Sequence, residues 1–286
     1  MKNILIIGSE GQLGEELKKI LFSEFNIICS TRKILDISNI EHLERNLNLN
    51  NIDILINCAA FHNLIECEKR PVEALKCNVL AQEIIIEKCK KFDVKYICFS
   101  TDYVFNGESK YPYSTNSLTS PLQVYGISRL LGEKVVLNSG SDNFVIIRTS
   151  GLFGLKESKT RGKNFIEKCL DQINQRGFVE VAQENRFSPT YAPDLAKSIK
   201  KIIFRSEIKG LLHLTNSGSA SWYELAKYAA THIGLEDKVK GINRNSKTGE
   251  MMRPKFTVLE HSYKSFPILK MPSWRDAVDR YMYSRK

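Results

Sequence analysis

The sequence predicts an α/β fold, a doubly wound parallel sheet with a smaller C-terminal lobe. Three observations predict it. Short, continuously apolar segments alternate with amphipathic ones through the first 150 residues, a glycine-rich turn joins the first strand to the first helix, and the pattern loosens after residue 150. Continuous apolar strands are typical of a parallel sheet that helices cover on both faces. We predict a first domain over 1–150 and a mixed region over 151–286 that completes the sheet and forms the lobe.

The elements follow in order along the chain. Right-handed crossovers between the strands give a doubly wound sheet. In the second half, Ser221 has the position of a helix N-cap. The predicted strands are KNILIIG, FNIICS, IDILINCAA, VKYICFS and FVIIRTS; the predicted helices are QLGEELKKILFSE, EALKCNVLAQEIIIEKCKKF, PLQVYGISRLLGEKVV, FIEKCLDQINQ, DLAKSIKKIIF and WYELAKYAATHI.

Composition excludes several classes of protein. The net charge is +10, but the basic residues are spread along the chain and no basic run is interleaved with aromatics, so we expect no nucleic-acid partner. An anionic small substrate fits the charge, as does a solvated surface. The chain has seven cysteines, an odd number, and no CxxC motif, which predicts reduced thiols and no metal site. No apolar run approaches a membrane span or a signal peptide, so we expect a cytoplasmic protein without a membrane partner.

The glycine-rich turn predicts a dinucleotide site. Gly8, Gly11 and Gly14 form GSEGQLG between the first strand and the first helix. Glycine is needed where a side chain would block a pyrophosphate, and the free N–H groups of the helix start face an anion. The sequence context therefore predicts an NAD(P)-binding Rossmann domain, in which Gln12 and Leu13 of the same turn also contact the cofactor.

Basic residues follow the second strand. NAD-preferring sites commonly carry an acidic residue at this point, whereas this chain has Arg32 and Lys33. A guanidinium pairs with a 2′-phosphate and stacks on adenine. NADPH is therefore favoured, with NADH as the alternative; a solvated loop charge is the non-functional interpretation.

Polar residues end the fourth strand, and a tyrosine lies on the helix that follows. Ser100, Thr101 and Asp102 come where a parallel strand meets the ligand crevice. Tyr125 and Arg129 are four residues apart and share a helical face. A cation beside a phenol favours the phenolate, so a tyrosine in this setting exchanges a proton with a carbonyl or an alcohol.

These motifs together resemble an extended short-chain dehydrogenase/reductase, and more narrowly the dTDP-4-dehydrorhamnose reductase family. The resemblance rests on GSEGQLG, INCAA, FSTDYVFNG, SPLQVYGISRLLGE, RTSGLFG, SPTYAPDLA, GLLHLTNSGSASWYELA and RPKFTVLEH, which follow in order along nearly the whole chain.

The resemblance implies NADPH-dependent reduction of the C4 keto group of a nucleotide-linked 6-deoxysugar, and it allows a homodimer. It assigns catalysis to Thr101, Tyr125 and Arg129. Further cofactor contacts are expected at Ala59, Ala60 and Ser100, and Tyr125 and Arg129 also contact the cofactor. The expected substrate contacts are His62, Asp102, Tyr103, Gly151, Asn164 and Arg253.

Four positions depart from the family pattern. Arg129 stands where the family usually has lysine, and Gly151 stands where it often has a large aromatic residue. The family usually has an acidic residue near the position of Ile65, and it has a glycine at the position of Phe187. Two alternatives therefore stay open: a reductase or epimerase for another nucleotide sugar, and a non-catalytic cofactor-binding regulatory homologue. In the second alternative Arg129 pairs with a surface carboxylate such as Glu133, four residues on.

Overall fold

A computed structural model describes residues 1–156, 162–243 and 251–285. The strands in these ranges are β1 Asn3–Ile7, β2 Asn26–Ser30, β3 Ile54–Asn57, β4 Lys95–Thr101, β5 Phe144–Thr149, β6 Leu152–Phe153, β7 Val179–Ala182, β8 Arg186–Phe187, β9 Thr190–Tyr191, β10 Gly210–His213, β11 Ala220–Ser221 and β12 Val239–Ile242. The α-helices are α1 Gln12–Leu21, α2 Ile40–Asn46, α3 Leu64–Lys69, α4 Pro71–Leu75, α5 Ala81–Phe92, α6 Val124–Leu137, α7 Phe165–Arg176, α8 Ala192–Ile203, α9 Trp222–Thr231 and α10 Trp274–Ser284.

Six parallel strands form the central sheet, in the order β10-β5-β4-β3-β1-β2. The chain moves outward to β2 on one side of β1 and then returns to β3 on the other side. This reversal is a topological switch point, and ligands of doubly wound folds bind outside the carboxyl ends of the strands there. The predicted fold class is confirmed.

The apolar strands are covered on both faces. Along β1, Ile4 and Ile6 pack into one core cluster with α1 and α8, whereas Leu5 and Ile7 pack into a second cluster with α2 and α5. Alternate residues of a strand point to opposite faces, so a strand buried on both sides must be apolar at every position. This arrangement explains the uninterrupted apolar run of the first strand.

The long helix before β4 contains a wider turn. Helix α4 continues through a π-helical turn, Lys76–Leu80, into α5, and the Ala81 N–H donates to the Lys76 carbonyl, five residues back. The sequence predicted a single regular helix here. A π turn adds one residue to the helical repeat and shifts the face that the following side chains present.

A separate cluster forms the C-terminal lobe, where α7, α9 and α10 pack with β7 and β12. Ser221 caps α9 as predicted: its Oγ accepts from the Glu224 N–H, and Glu224 accepts from the Ser221 N–H. Strand β10 and helix α8 come from the second half of the chain yet pack into the central sheet. The division at residue 150 stays a prediction.

Among the helices of the described ranges, none has both the length and the apolarity to cross a bilayer.

Candidate active site

The glycine loop lies where β1 meets α1. Gly8 has a φ of +73°, and a Cβ on it would lie 2.8 Å from the backbone nitrogen of Ala59. A Cβ on Gly14 would lie 2.5 Å from the Gly8 carbonyl oxygen, so the first turn of α1 packs directly against the loop. Both positions require glycine for physical reasons. The Gly8 N–H is held by the carbonyl of Ser30, at the end of β2.

Helix α1 begins without a side-chain cap, because its N-cap residue is Gly11. Its first turn therefore presents backbone donors, as an anion site needs. The Gln12 side chain donates to the Gly154 carbonyl at 3.5 Å. Leu13 is buried in the core cluster, so its side chain packs α1 on the sheet and only its backbone is available for the predicted cofactor contact.

The two basic residues after β2 are exposed. The Arg32 side chain is 76% exposed; its Nε donates to Asp36 at 3.2 Å and its Nη2 donates to Ser38 at 3.3 Å. Lys33 is also exposed. Asp36 was not considered at the sequence level, although it lies only four residues from Arg32. A phosphate that binds Arg32 therefore has to compete with this carboxylate.

The loop after β3 is fastened by an asparagine that sequence reasoning missed. Asn78, in the π turn, accepts from the Phe61 N–H and donates to the Phe61 carbonyl, both at 2.9 Å. Ala59 and Ala60 lie just before Phe61 and are half-buried. His62 follows it, with Nδ1 3.2 Å from the Ala60 carbonyl oxygen. The three predicted contacts of this loop thus lie on one short segment beside Gly8.

The same asparagine reaches the tyrosine helix. Its Nδ2 donates to Ser128 Oγ at 2.9 Å, and its Oδ1 accepts from Arg129 Nη1 at 3.4 Å. A Cβ on Gly132 would lie 2.2 Å from the Asn78 carbonyl oxygen, so α6 packs closely on the π turn. The sequence signal was a lone amide within the otherwise apolar helical stretch CNVLA.

Arg129 is buried, with 7% of its surface exposed, and its Nε has no hydrogen-bond partner among the described residues. The expected alternative, an ion pair with a surface Glu133, is wrong on both counts. Glu133 is 3% exposed and pairs with Arg148 of β5 at 2.6 Å. Positions i and i+4 share a helical face, but the sheet residue gives Glu133 a bidentate partner. The buried Nε of Arg129 remains as a donor at this site.

Tyr125 lies one turn before Arg129 on α6 and is half-buried. Its ring lies edge-on to Tyr103, with 6.1 Å between the ring centroids. Gly126 permits this approach, because a Cβ there would lie 2.2 Å from the Tyr103 carbonyl oxygen. The structure therefore places the predicted catalytic tyrosine beside the segment that follows β4.

The end of β4 forms a buried hydroxyl–carboxylate cluster. Asp102 is 3% exposed and accepts hydrogen bonds from Thr101 at 3.1 Å, Ser150 at 2.7 Å and Thr257 at 2.6 Å. Burial raises the pKa of the Asp102 carboxyl, against the three hydroxyls, which lower it. Asp102 was expected to contact the substrate. In the structure its carboxylate accepts hydrogen bonds from these three hydroxyls, and a contact with the substrate stays a prediction.

Thr101 and Ser100 differ in their hydrogen bonding. The Thr101 hydroxyl donates to Asp102 and accepts from the Tyr103 N–H at 3.2 Å. The Ser100 Oγ is buried and has no partner among the described residues. Ser100 therefore has a free hydroxyl for a ligand, whereas the single proton of Thr101 is already used.

The remaining predicted substrate residues are Gly151, Asn164 and Arg253. Gly151 follows Ser150 and has a φ of +50°. Asn164 caps α7, and its amide donates to the Gly154 carbonyl and to Tyr281. These partners occupy Asn164, so the structure gives it a capping contact rather than an open amide. Arg253 is exposed, just before Pro254, and Ile65, at the departure near β3, is also exposed.

Known proteins are similar to this chain in sequence and in structure. A family model described as RmlD substrate binding domain matches residues 1–285. The spore coat polysaccharide biosynthesis protein SpsK of Bacillus subtilis (strain 168) is 30% identical over 286 residues, which cover 100% of this chain and 98% of SpsK. The dTDP-4-dehydrorhamnose reductase of Escherichia coli (strain K12) is 30% identical over 297 residues, which cover 98% of this chain and 97% of the reductase.

A solved structure is also similar over the whole chain. The dTDP-4-dehydrorhamnose reductase of Bacillus anthracis, in complex with NADP, matches with a TM-score of 0.89, 30% identity and 99% coverage of both chains. In this chain the glycine loop, the β3 loop and the tyrosine helix meet at the topological switch point of the parallel sheet. With the family model spanning residues 1–285, the chain belongs to the RmlD substrate binding domain family.

Proposed function

We propose that this protein catalyses the NADPH-dependent reduction of the C4 keto group of a nucleotide-linked 6-deoxysugar. One observation carries the proposal: Asn78 hydrogen-bonds both the loop that follows β3 and the residues Ser128 and Arg129 on the tyrosine helix. The glycine loop, the β3 loop and Tyr125 thus belong to one assembly. The family, whose members include dTDP-4-dehydrorhamnose reductases, supports the reaction class.

The residues present fit a dinucleotide. A Cβ on Gly8 or Gly14 would collide with backbone atoms, so only glycine permits this tight turn, and the uncapped start of α1 that follows it presents backbone donors to a pyrophosphate. Ser100 Oγ and Arg129 Nε are buried without partners in the described part of the chain, as expected for groups that bind a ligand. Arg32 and Lys33 favour the 2′-phosphate of NADPH over NADH. The similar Bacillus anthracis enzyme was solved with NADP.

Bound NADPH supplies the hydride that reduces the sugar carbonyl. The protein supplies the proton and the positioning. Tyr125 donates its hydroxyl proton to the C4 oxygen, and the charge of Arg129 stabilises the negative charge that the donation leaves on the tyrosine. Thr101 positions the substrate by accepting a hydrogen bond, because its own proton is directed to Asp102. The resemblance places Thr101 among the catalytic residues, whereas in this proposal it is a positioning residue.

In this proposal the nucleotide sugar binds between the lobe of residues 151–286, which contributes Arg253, and the first domain, which contributes His62 and Tyr103. Two of them, His62 and Tyr103, are half-buried beside the loop and the tyrosine helix, and Arg253 is exposed as a phosphate-binding residue would be. The positive net charge favours an anionic substrate.

A homodimer and a cytoplasmic location complete the proposal. Helices α3, α4 and α6 and the π turn pack against one another and expose apolar side chains, which favours association. These side chains are Ile65, Val72, Leu75, Leu80, Ile127 and Leu131. All seven cysteines are free, which supports a reducing compartment.

The test is turnover with a panel of dTDP-linked 4-keto-6-deoxysugars, followed by NADPH absorbance and product analysis. The wild type should oxidise NADPH with at least one member. Tyr125→Phe should lower kcat by roughly 10²–10⁴ and leave NADPH affinity unchanged, because only the proton donor is lost. Tyr283→Phe is the matched control, since Tyr283 is 80% exposed on α10. NADPH binding without turnover of any sugar in the panel would contradict the proposal and favour a regulatory homologue.

A further inference from the structure

The helix that carries Tyr125 begins at a residue that does not cap it. The N-cap residue of α6 is Gln123, whose backbone has the extended conformation of an N-cap but whose side chain makes no capping hydrogen bond. Serine, threonine, aspartate and asparagine are preferred at this position, because their short side chains reach the free N–H groups of the first turn. The Gln123 side chain is one methylene longer than that of asparagine. Both of its amide atoms are buried and have no hydrogen-bond partner among the described residues.

A carboxylate from another helix binds the first turn of α6. Glu68, on α3, accepts a hydrogen bond from the Val124 N–H at 2.8 Å, although the two residues are 56 positions apart. Val124 is the first residue of α6 and Tyr125 is the second. A negative charge at a helix N-terminus also interacts favourably with the helix dipole. Glu68 therefore takes the capping role that residue 123 does not fill, one residue before the tyrosine.

Helix α3 connects this contact to the loop that follows β3. The Asn63 side chain caps α3, and the Cys67 thiol donates to the Phe61 carbonyl at 3.5 Å. Phe61 is also the residue that Asn78 holds through two hydrogen bonds. Glu68 thus lies on a short helix that is fastened to the loop with the predicted cofactor contacts.

The other contacts of Tyr125 hold its ring and the backbone after it. The Ser128 hydroxyl donates to the Tyr125 carbonyl at 2.9 Å, and the Tyr103 ring lies edge-on to the tyrosine ring. Only the contact of Glu68 with Val124 holds the backbone before it, among the hydrogen bonds between side chains and the first turn that the described residues form. A proton donor has to stay within hydrogen-bond distance of the reacting oxygen, and a displacement of about 1 Å can cost about 100-fold in rate.

We propose that Glu68 is a positioning residue for the reaction, which caps the tyrosine helix in place of residue 123 and so sets the position of Tyr125 relative to the β3 loop. This inference rests on the proposed function. Glu68 acts through the backbone of α6 and not through contact with the substrate. Its loss should therefore lower kcat and leave NADPH affinity unchanged, because the glycine loop and the β3 loop are intact.

The experiment compares three variants by steady-state kinetics with the sugar nucleotide that the wild type reduces best, and by fluorescence titration of NADPH. Glu68→Ala should lower kcat about 10-fold, with the Kd for NADPH within about 2-fold of the wild type. In the double variant Glu68→Ala/Gln123→Asn the shorter amide supplies the missing cap, so kcat should recover to within about 3-fold of the wild type. Glu66→Ala is the matched control, since Glu66 lies on the same helix and pairs with the exposed Lys69.

Hydrogen exchange at the first turn of α6 gives a second measurement that needs no turnover. Exchange there should be faster in Glu68→Ala than in the wild type, and it should return to the wild-type rate in the double variant. The Glu66→Ala control should match the wild type in both measurements.

A Glu68→Ala variant with the kcat of the Glu66→Ala control would overturn this inference. An equal loss of kcat and NADPH affinity would overturn it too, because it would indicate general destabilisation. A double variant as slow as Glu68→Ala would mean that the carboxylate does not act as a cap. Each of these outcomes leaves the turnover of the wild type, and with it the proposed function, in place. A wild type that reduces no sugar of the panel overturns the proposed function instead.

Discussion

Glu133 and Arg148 form a bidentate ion pair inside the protein, with Nε–Oε1 at 2.9 Å and Nη2–Oε2 at 2.6 Å. Both side chains are almost fully buried, and the guanidinium lies 5.2 Å from the centroid of the Phe105 ring. The pair joins the tyrosine helix to β5. It therefore fixes the helix that carries Tyr125 and Arg129 against the sheet, two turns beyond the tyrosine.

Glu133→Gln should lower the free energy of unfolding by about 3–5 kcal/mol, because Arg148 is left buried with an uncompensated charge. Urea denaturation of the purified variant measures the change. The matched control is Glu41→Gln, which removes one partner of the exposed pair with Arg45 and should change stability by less than about 1 kcal/mol. A Glu133 variant as stable as this control would mean that the buried pair is dispensable.

Arg129→Ala should lower kcat by about 10²-fold, because the buried charge that stabilises the tyrosine oxyanion is lost. Arg129→Lys should keep or raise turnover, since the charge is retained on a narrower side chain. Steady-state kinetics with an accepted sugar distinguishes the variants, and Lys134→Ala, an exposed basic residue on the same helix, is the control. Equal turnover in Arg129→Ala and wild type would exclude Arg129 from the reaction.

Arg32→Ala should weaken NADPH binding by about 10- to 100-fold and leave NADH binding unchanged, because a charge-assisted contact with the 2′-phosphate is lost. Fluorescence titration of both cofactors measures the two affinities. Arg45→Ala is the control, since Arg45 is also exposed and pairs with a carboxylate four residues away. If the Arg32 variant bound NADPH as tightly as wild type, the guanidinium would serve only to pair with Asp36.

Acidification should destabilise the protein through His213. Burial, together with the nearby Arg148, lowers the pKa of His213 from 6.5 to about 3. Between these values the unfolded chain binds a proton that the folded chain excludes, so stability falls as the pH drops below 6.5. From pH 7.5 to 5.5 the loss from this group is about 1.4 kcal/mol. Urea denaturation of His213→Gln at both pH values should show a smaller loss, and an equal loss in variant and wild type would contradict the assignment.

The fold could be predicted from local sequence patterns, whereas the contacts between distant segments could not. The apolar strands and the glycine turn are encoded within a few residues each, because burial on both faces and a sharp strand-to-helix turn restrict the residue types directly. The partner of Glu133 depends on which strand the helix packs against. Helical spacing favoured Arg129, and the sheet instead supplies Arg148.

The candidate site shows the same division. The positions of Tyr125 and the glycine loop followed from spacing and context. Asn78 hydrogen-bonds Phe61, 17 positions before it, and Ser128, 50 positions after it, and no local sequence pattern predicts these two contacts. Asp102 ended as an acceptor for three hydroxyls because Thr257, 155 positions later, returns to it. Such partners are determined by the tertiary fold and were not available from the sequence.

The π turn at Lys76–Leu80 holds one residue more than an ordinary helical turn, at the point where Asn78 contacts Phe61 and Ser128. Deleting one residue there would turn the five-residue hydrogen bond from Ala81 to Lys76 into an ordinary α-helical one. Ile85 and Cys89, beyond the turn, would then keep their places in the core. The backbone around Asn78 would change instead. A related chain that lacks one residue here should therefore keep the sheet and its helices but lose the Asn78 link between the β3 loop and the tyrosine helix.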